Sequence, residues 1–476
     1  MKAAFLLSLF TLLAMVSVAQ APNWDWVRNA GFSSSTLGLQ AIASDAAGNV
    51  VIGGSYQTLT IDSFQLPALP PAAGHDDMFL ASFDANGKLK WAIREGSSIW
   101  NWIAALTITP SGDICATIFF TGTTTISGHT FVAADWSDIL TVVYDSNGVF
   151  KWATQAGGHH IFPTLQVAHD DSGNIYVPGA IENFIIQHGD TVSWHDAEVL
   201  SIKYGSHGDL KWVRSTGSAA DEIEPTGIAA DRFSNTYQTG FYRGKTFFDN
   251  FLLPGDGTYA RAFFMKRNAD GSLAWAKTMK GLSTGHEAAA GRHDGIYFLG
   301  SVKDSAVING DTLVSSDVEG YHFLMKMDTA GGQLWIRTFE CPNYCFMDSD
   351  DSGYVYVSGY NGPNIARFDP DGTLSWMKSV GTDGHRRSLM MLVNADGPDP
   401  VVASRYAKIS LACDVFTIPP SGSNNIFLGK LHRSPFPAVA DSIVNEEPFI
   451  YPNPSDGEFT VVADPLAFNA YLVIDL

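Results

Sequence analysis

Apolar and polar residues alternate through most of the chain in short runs, and each run stops at a cluster of Gly, Asp, Asn or Ser. Phe79–Trp91 (FLASFDANGKLKW) is representative: an alternating run, an Asp-Ala-Asn-Gly turn, then a second alternating run. A period of two predicts strands with one face turned inward, and Gly after Asp or Asn supplies the positive-φ residue of a tight turn. The predicted element is a β-hairpin, and no helical segment is expected between hairpins.

The hairpin recurs at a fixed interval. Trp stands at positions 26, 91, 152, 212, 275, 335 and 376, spaced by 65, 61, 60, 63, 60 and 41 residues. Six of these close a similar phrase: Phe79–Trp91, Ile139–Trp152, Val199–Trp212, Phe263–Trp275, Phe323–Trp335 and Ile365–Trp376. A second turn-and-strand phrase precedes each: Asp45–Gly54, Pro110–Phe119, Asp170–Gly179, Asp231–Gly240, His293–Gly300 and Asp350–Gly359, with Asn394–Ser404 opening a seventh. Apolar stretches such as Leu39–Ala43, Ala105–Ile108 and Leu165–Ala168 lead into these and complete a four-strand unit. Seven units over residues 21–433 average about 59 residues. This predicts an all-β fold, a seven-bladed β-propeller of four-stranded antiparallel blades.

The ends of the array fit one another. The last repeat reaches Ile426–His432 without a Trp strand, whereas the N-terminus begins with an orphan Trp strand, Trp24–Val27. The N-terminal strand is expected to complete the seventh blade and close the ring, which leaves no sheet edge open.

Composition narrows the partners. The net charge is −20, from 29 Lys+Arg against 49 Asp+Glu, so no basic face is expected for nucleic acid or anionic membranes. Ala3–Val18 is an apolar run after Lys2, followed by Ser17-Val18-Ala19 with small residues at the positions a signal peptidase reads. Residues 1–19 are expected to be a signal peptide cleaved after Ala19, too short for a membrane anchor, leaving no transmembrane segment in a secreted mature chain. Of the four cysteines, Cys341 and Cys345 are spaced to close a small local loop, while Cys115 and Cys413 lie in alternating apolar runs and are expected to be buried.

Two resemblances follow from these phrases. Over residues 24–433 the chain resembles the seven-bladed β-propeller repeat (SBBP) family of exported bacterial proteins, with its D-x-x-G-N-x-Y-V-x-G and F-x-x-K-x-D-x-x-G-x-x-x-W phrases; Asp170–Gly179 and Asp350–Gly359 match the first closely. After a linker at 434–447, Ile450–Val461 (IYPNPSDGEFTV) is similar to the opening of the type IX secretion C-terminal sorting domain, a small β-sandwich. Pro452, Asn453, Pro454, Gly457 and Phe459 match its motif, and Ala470–Leu476 resembles its next strand. That resemblance implies export through an outer-membrane secretion machinery. It stops about thirty residues in, so residues 448–476 are expected to be a truncated sorting domain and 20–433 the propeller.

In such a ring the variable connections gather around the axis on one face. They hold Phe32, Trp100, Asn101, Trp102, His159, His160, Asp221, Glu222, Glu224, His286, Glu287, Asn343, Tyr344, His385, Arg386 and Arg387. Flat aromatic faces beside fixed hydrogen bonders suit a carbohydrate or peptide; Trp100, Trp102, His159, His160, Glu222, His286, Tyr344, His385 and Arg386 are the candidate ligand-binding residues. No metal ligand set is expected, because neither His159-His160 nor His286-Glu287 belongs to a two-plus-two pattern. Acids alternate over Asp348–Gly353 as in a calcium loop, but its bidentate Glu is missing and Asp170–Gly173 is a matching blade turn, so the turn is favoured and calcium is the alternative. No G-x-S-x-G elbow or ordered triad is present. Asp371–Trp376 misses the sialidase turn by one position, and the long segment Ser55–Asp77 sets the chain apart from quinoprotein repeats, so no cofactor is expected. The repeat Trp residues read as blade-packing anchors. The expected function is an extracellular binding or scaffold module for a glycan or protein, against a propeller hydrolase or lyase acting on polysaccharide.

Overall fold

The structure, a computed structural model, describes residues 21–33, 37–62, 64–66, 77–96, 100–187, 190–217, 222–291, 295–314, 321–341, 345–359, 364–380, 391–406, 411–414, 416–432, 449–451 and 460–462. The side chains at 159–162, 181–197, 391, 412, 449–451 and 460–462 are outside this description. The chain divides into two units, Met1–Pro435 and Phe436–Leu476. In the second, Phe449–Tyr451 pairs with Thr460–Val462 as an antiparallel hairpin. Pro452, Asn453, Pro454, Gly457 and Phe459 lie outside the described residues.

The first unit is a seven-bladed β-propeller. Blade 1 runs Leu37–Ser44, Val50–Tyr56, Asp77–Phe83, Leu89–Glu95, each strand antiparallel to the one before. Blade 7 is Met391–Asn394, Val401–Tyr406 and Asn424–Leu431, with Trp24–Ser33 from the N-terminus as its fourth strand, pairing from Trp24↔Leu431 to Ser33↔Asn424. The expected closure is therefore made by backbone hydrogen bonds. The apolar side chains that alternate along each strand pack between blades: one core joins Leu39, Ile52 and Phe79 of blade 1 to Val401, Ile426 and Leu428 of blade 7.

The repeat phrases act across the blade interface. In blade 3, Gly208 of the turn His207-Gly208 has φ +84°, and a Cβ there would lie 2.8 Å from the Trp152 ring of the preceding blade. The Trp152 Nε1–H donates to Ser206 O of that same turn at 3.2 Å. Trp26, Trp91, Trp212, Trp275 and Trp335 donate likewise to Ala85, Ser146, Ala269, Thr329 and Pro370 of the following blades, at 2.9–3.2 Å. The motif's Gly and Trp thus meet between neighbours: Gly is needed for the turn and for the indole that lies on it. Trp376 faces the seam where the two chain ends meet, and its buried Nε1 has no acceptor among the described residues.

The other phrase works the same way. Asp170 Oδ1 accepts from Ser172 N and Asn174 N at 3.0 Å, closing the turn, and its Oδ2 accepts from the Tyr176 hydroxyl at 2.8 Å. Asp231 with Tyr237 and Asp350 with Tyr356 repeat the bond. The Lys of the following phrase lies over the Tyr ring: Lys203 on Tyr176 at 5.0 Å, Lys266 on Tyr237 at 5.5 Å and Lys326 on Tyr297 at 5.1 Å. Cys115 and Cys413 are buried, and Cys341–Cys345 is a disulfide.

Two features depart from the expected pattern. His159 and His160 do not sit on a connection: they lie within the strand Phe150–Pro163, which pairs with Ser137–Tyr144 of its own blade and then with Ile175–Gln187 of blade 3. Pairing on both sides extends the strand and merges two blades into one eight-stranded sheet, reducing the first strand of blade 3 to Ala168–His169. Second, the long segments between second and third strands carry small hairpins of their own, such as Thr123–Ile126 with His129–Val132 and Thr246–Phe248 with Phe251–Leu253. Each clasps the preceding blade: Gly96 N donates to Thr125 O, and Gly217 N to Phe247 O. Sequence reasoning missed the clasps, although Ile126-Ser-Gly-His129 and Ile308-Asn-Gly-Asp311 are two-residue turns with positive φ at Ser127 and Asn309.

Candidate functional site

The first strands of all seven blades line an axial cavity of about 150 Å³, bordered by Gln40, Thr107, Gln166, Ile228, Glu287 and Asn394 among others. These strands hold one another by side chains bonded across the blade boundaries. Asn394 Oδ1 accepts from Ser44 N at 2.9 Å, and Thr107 Oγ1 meets His169 Nδ1 at 2.8 Å. Gln166 Oε1 accepts from both Ile228 N and Ala288 N at 3.0 Å, spanning from blade 3 to blades 4 and 5. Gly227 leaves room for it, since a Cβ there would lie 2.7 Å from Gln166 Oε1. Glu287 Oε2 accepts from Met347 N, and Asp348 Oδ2 from Ala395 N at 2.7 Å.

Burial governs the protonation of this belt. Desolvation pushes the Glu287 carboxyl up to about 8, only partly opposed by the Met347 N–H. Burial also raises Asp348 well above the usual carboxylate range, with Asp396 adding to the effect. His286 is lowered to about 4 by burial, and its Nε2 lies between Thr284 Oγ1 at 2.9 Å and Ser301 Oγ at 3.2 Å.

At the turn-bearing end of the channel, a mouth of about 540 Å³ is rimmed by Asp45, Asp170, Asp171, Asp231, Asp351 and Asp396. Several of these acids close their own turns. In Asp348–Gly353, Asp350 accepts from Ser352 N and Tyr354 N and from the Tyr356 hydroxyl. The Asp348 and Asp350 carboxylates of that segment thus accept from the propeller's own donors.

The opposite face bears an aromatic group on blade 2. Trp102 stacks on Phe119 with ring centroids 4.0 Å apart and an interplanar angle of 18°, and Phe119 meets Trp136 edge-on at 6.1 Å. Trp100 and Trp136 are exposed to 61% and 49%, whereas Trp102 is half-buried. Trp102 therefore serves packing as well as the face. Just below, buried Asp138 accepts from Ala134 N at 2.9 Å, from Gly158 N and from Gln155 Nε2, which fixes the connection that carries Trp136.

The other candidates are dispersed. Glu222 is exposed, in an ion pair with Arg243 at 2.6 Å. His286 and Glu287 lie on the strand Lys280–Ala290 and not on a connection, because that strand extends over eleven residues to pair with Ile296–Ile308. Tyr344, His385 and Arg386, with Asp221, Asn343 and Arg387, lie outside the described residues, as do the His159 and His160 side chains. Sequence reasoning missed Trp136, which lies in the segment between second and third strands, and the Gln166, Asp348 and Asn394 belt. Gln166, Gly227 and Glu287 share one register position in successive blades, which in the sequence alone looks like unpatterned variation.

No family profile matches the chain, and no curated protein matches it. Solved β-propellers are similar in fold. The propeller domain of the Trilobed protease from Pyrococcus furiosus is 9% identical, covering 84% of this chain and 94% of that one, with a TM-score of 0.46. A streptogramin B lyase is 12% identical over 86% of this chain and 98% of its own, with a TM-score of 0.44. A family PL25 ulvan lyase is 12% identical over 84% and 95%, with a TM-score of 0.42.

Proposed function

We propose that this β-propeller is an exported binding module whose connection-bearing face takes a glycan on the aromatic group of blade 2. The observation that carries the reading is a pair of exposed indoles on blade 2: Trp136 lies edge-on to the Phe119 ring on which Trp102 stacks, and Trp100 stands two residues before Trp102. Rigid aromatic faces bind the apolar faces of sugar rings with little conformational entropy to lose. Export is read from the leader at 1–19 and from the Pro452–Phe459 motif, which would engage an outer-membrane secretion machinery. A protein ligand is the second reading for the same face, and the hydrolase or lyase reading would rest on Glu222 and Glu224, where burial and the Glu222 charge raise the Glu224 carboxyl above its ordinary range.

The test is a glycan array followed by titration of the best ligand with the mature protein. Replacing Trp100 and Trp136 together by Ala should weaken binding about tenfold or more, as expected for losing one to two kcal/mol of stacking, with an unchanged circular dichroism spectrum. Undiminished binding by the double variant would remove the site from this face. Turnover of a polysaccharide, abolished by Glu222→Gln, would replace the binding reading by the hydrolase or lyase.

A further inference from the structure

Three soft or borderline donors converge on blade 5. A ring nitrogen of His322 and the sulfurs of Cys341 and Cys345 all lie within 4.8 Å of one another. Cys341 and Cys345 stand on the connection that follows the strand Gln333–Phe339, and His322 near the start of the strand Tyr321–Met327. The Cys-x3-Cys spacing lies within the range used by zinc-binding cysteine pairs. Cys345 is buried, while Cys341 and His322 are half-buried, so the cluster is reachable from solvent.

Three other blades carry a polar group at the same position, where blade 4 has Ala262. The residue before the first apolar position of the third strand is Asp138 in blade 2, Asn364 in blade 6 and Asn425 in blade 7. Each is spent on local structure: Asp138 accepts from Ala134 N, Asn364 Oδ1 from Ser379 Oγ at 2.6 Å, and Asn425 Oδ1 from Ser421 N at 2.8 Å. Blade 5 has His322 there instead, and its buried Nδ1 has no hydrogen-bond partner among the described residues. A buried polar nitrogen without a partner is costly, so this imidazole is not spent on local structure through Nδ1 as the polar groups of blades 2, 6 and 7 are.

We propose that, with the Cys341–Cys345 disulfide reduced, this cluster binds one borderline-soft divalent ion of the Zn2+ class through both sulfurs and a ring nitrogen of His322. The disulfide is then the metal-free form. Reduction by a phosphine takes one water: the phosphine becomes its oxide, and the two hydrogens of the water end on the two thiols. The ion displaces both thiol protons and is held by two thiolates and a neutral imidazole, leaving a fourth tetrahedral position for water or an exchangeable ligand. The site is independent of the glycan reading, which concerns blade 2.

The whole protein is reduced with a water-soluble phosphine, freed of reductant without oxygen and titrated with Co2+ as a spectroscopic substitute for Zn2+. One equivalent should bind with thiolate-to-cobalt charge-transfer absorption, Zn2+ should bleach it, and the oxidised protein should show none. Zn2+ should also protect Cys341 and Cys345 from alkylation, read peptide by peptide by mass spectrometry. His322→Ala should weaken binding about tenfold or more, a loss of roughly 1.4 kcal/mol. His322→Asn, which copies blades 6 and 7, should do the same while keeping the native circular dichroism spectrum. Absence of the charge-transfer band, affinity unchanged in both His322 variants, or unfolding on reduction would each overturn the proposal.

Discussion

Gly208→Ala should destabilise the propeller by about 2–4 kcal/mol, far more than the same change at Gly128. Both glycines have positive φ, +84° and +83°, so both variants carry a backbone cost of about 1 kcal/mol. They differ in what the new methyl meets. At Gly208 it would stand 2.8 and 2.9 Å from Trp152 ring carbons, and that indole is itself tied to Ser206 O of the turn. At Gly128, the tip of a clasp hairpin, nothing lies within 4 Å. Overpacking against an anchored ring adds about 1–3 kcal/mol. Urea unfolding followed by circular dichroism gives the comparison directly; equal losses at the two sites would show that the Gly–Trp contact does not hold the blades together.

The stability of the ring should fall as pH rises from about 6.5 to 8, and Glu287→Gln should remove much of that fall. The carboxyl of Glu287 titrates near 8 in the folded chain, against about 4.5 for its ordinary value, because burial penalises its charged form. Between those values the folded state holds a proton that the unfolded chain has released. The stability contributed by this carboxyl is therefore fully present below pH 4.5 and lost as pH rises towards 8, with a slope approaching about 1.4 kcal/mol per pH unit. Gln mimics the protonated acid and keeps an oxygen to accept from Met347 N. Of the groups near this carboxyl, Asp348 is also raised by burial, so a weaker slope should remain in the variant, while His286 and His322, both lowered by burial, gain stability as pH rises to about 6.5 and offset the fall below that pH. Denaturation midpoints at pH 5, 6, 7 and 8 check this, and parallel profiles for the two proteins would exclude Glu287 as the cause.

Much of the fold was legible because its determinants are local. An Asp four residues before an Asn and six before a Tyr closes its own turn, as at Asp170, Asn174 and Tyr176, wherever the chain runs. The orphan strand at Trp24 and the incomplete repeat at Ile426 foretold each other, since an unpaired edge must find a partner. The site was less legible. Trp100 was found, but Trp102 turned out to share its face with Phe119, and Trp136 was missed because it belongs to no repeat phrase. The strand carrying His159 was expected as a connection, because a strand that changes partners half-way along looks in sequence like two strands and a loop.

The sequence by itself determined the repeated blade strands, their turns, the number of blades and the way the ring closes, since alternation and turn chemistry act within a few residues of the chain. Only the tertiary structure decided which polar groups meet. Gln166 reaches Ala288 across 122 positions of sequence, Glu287 reaches Met347 across 60, and His322 stands beside Cys341 and Cys345. Such meetings depend on the radius of the closed ring and on which first-strand residue turns towards the axis, and a repeat unit carries no record of either.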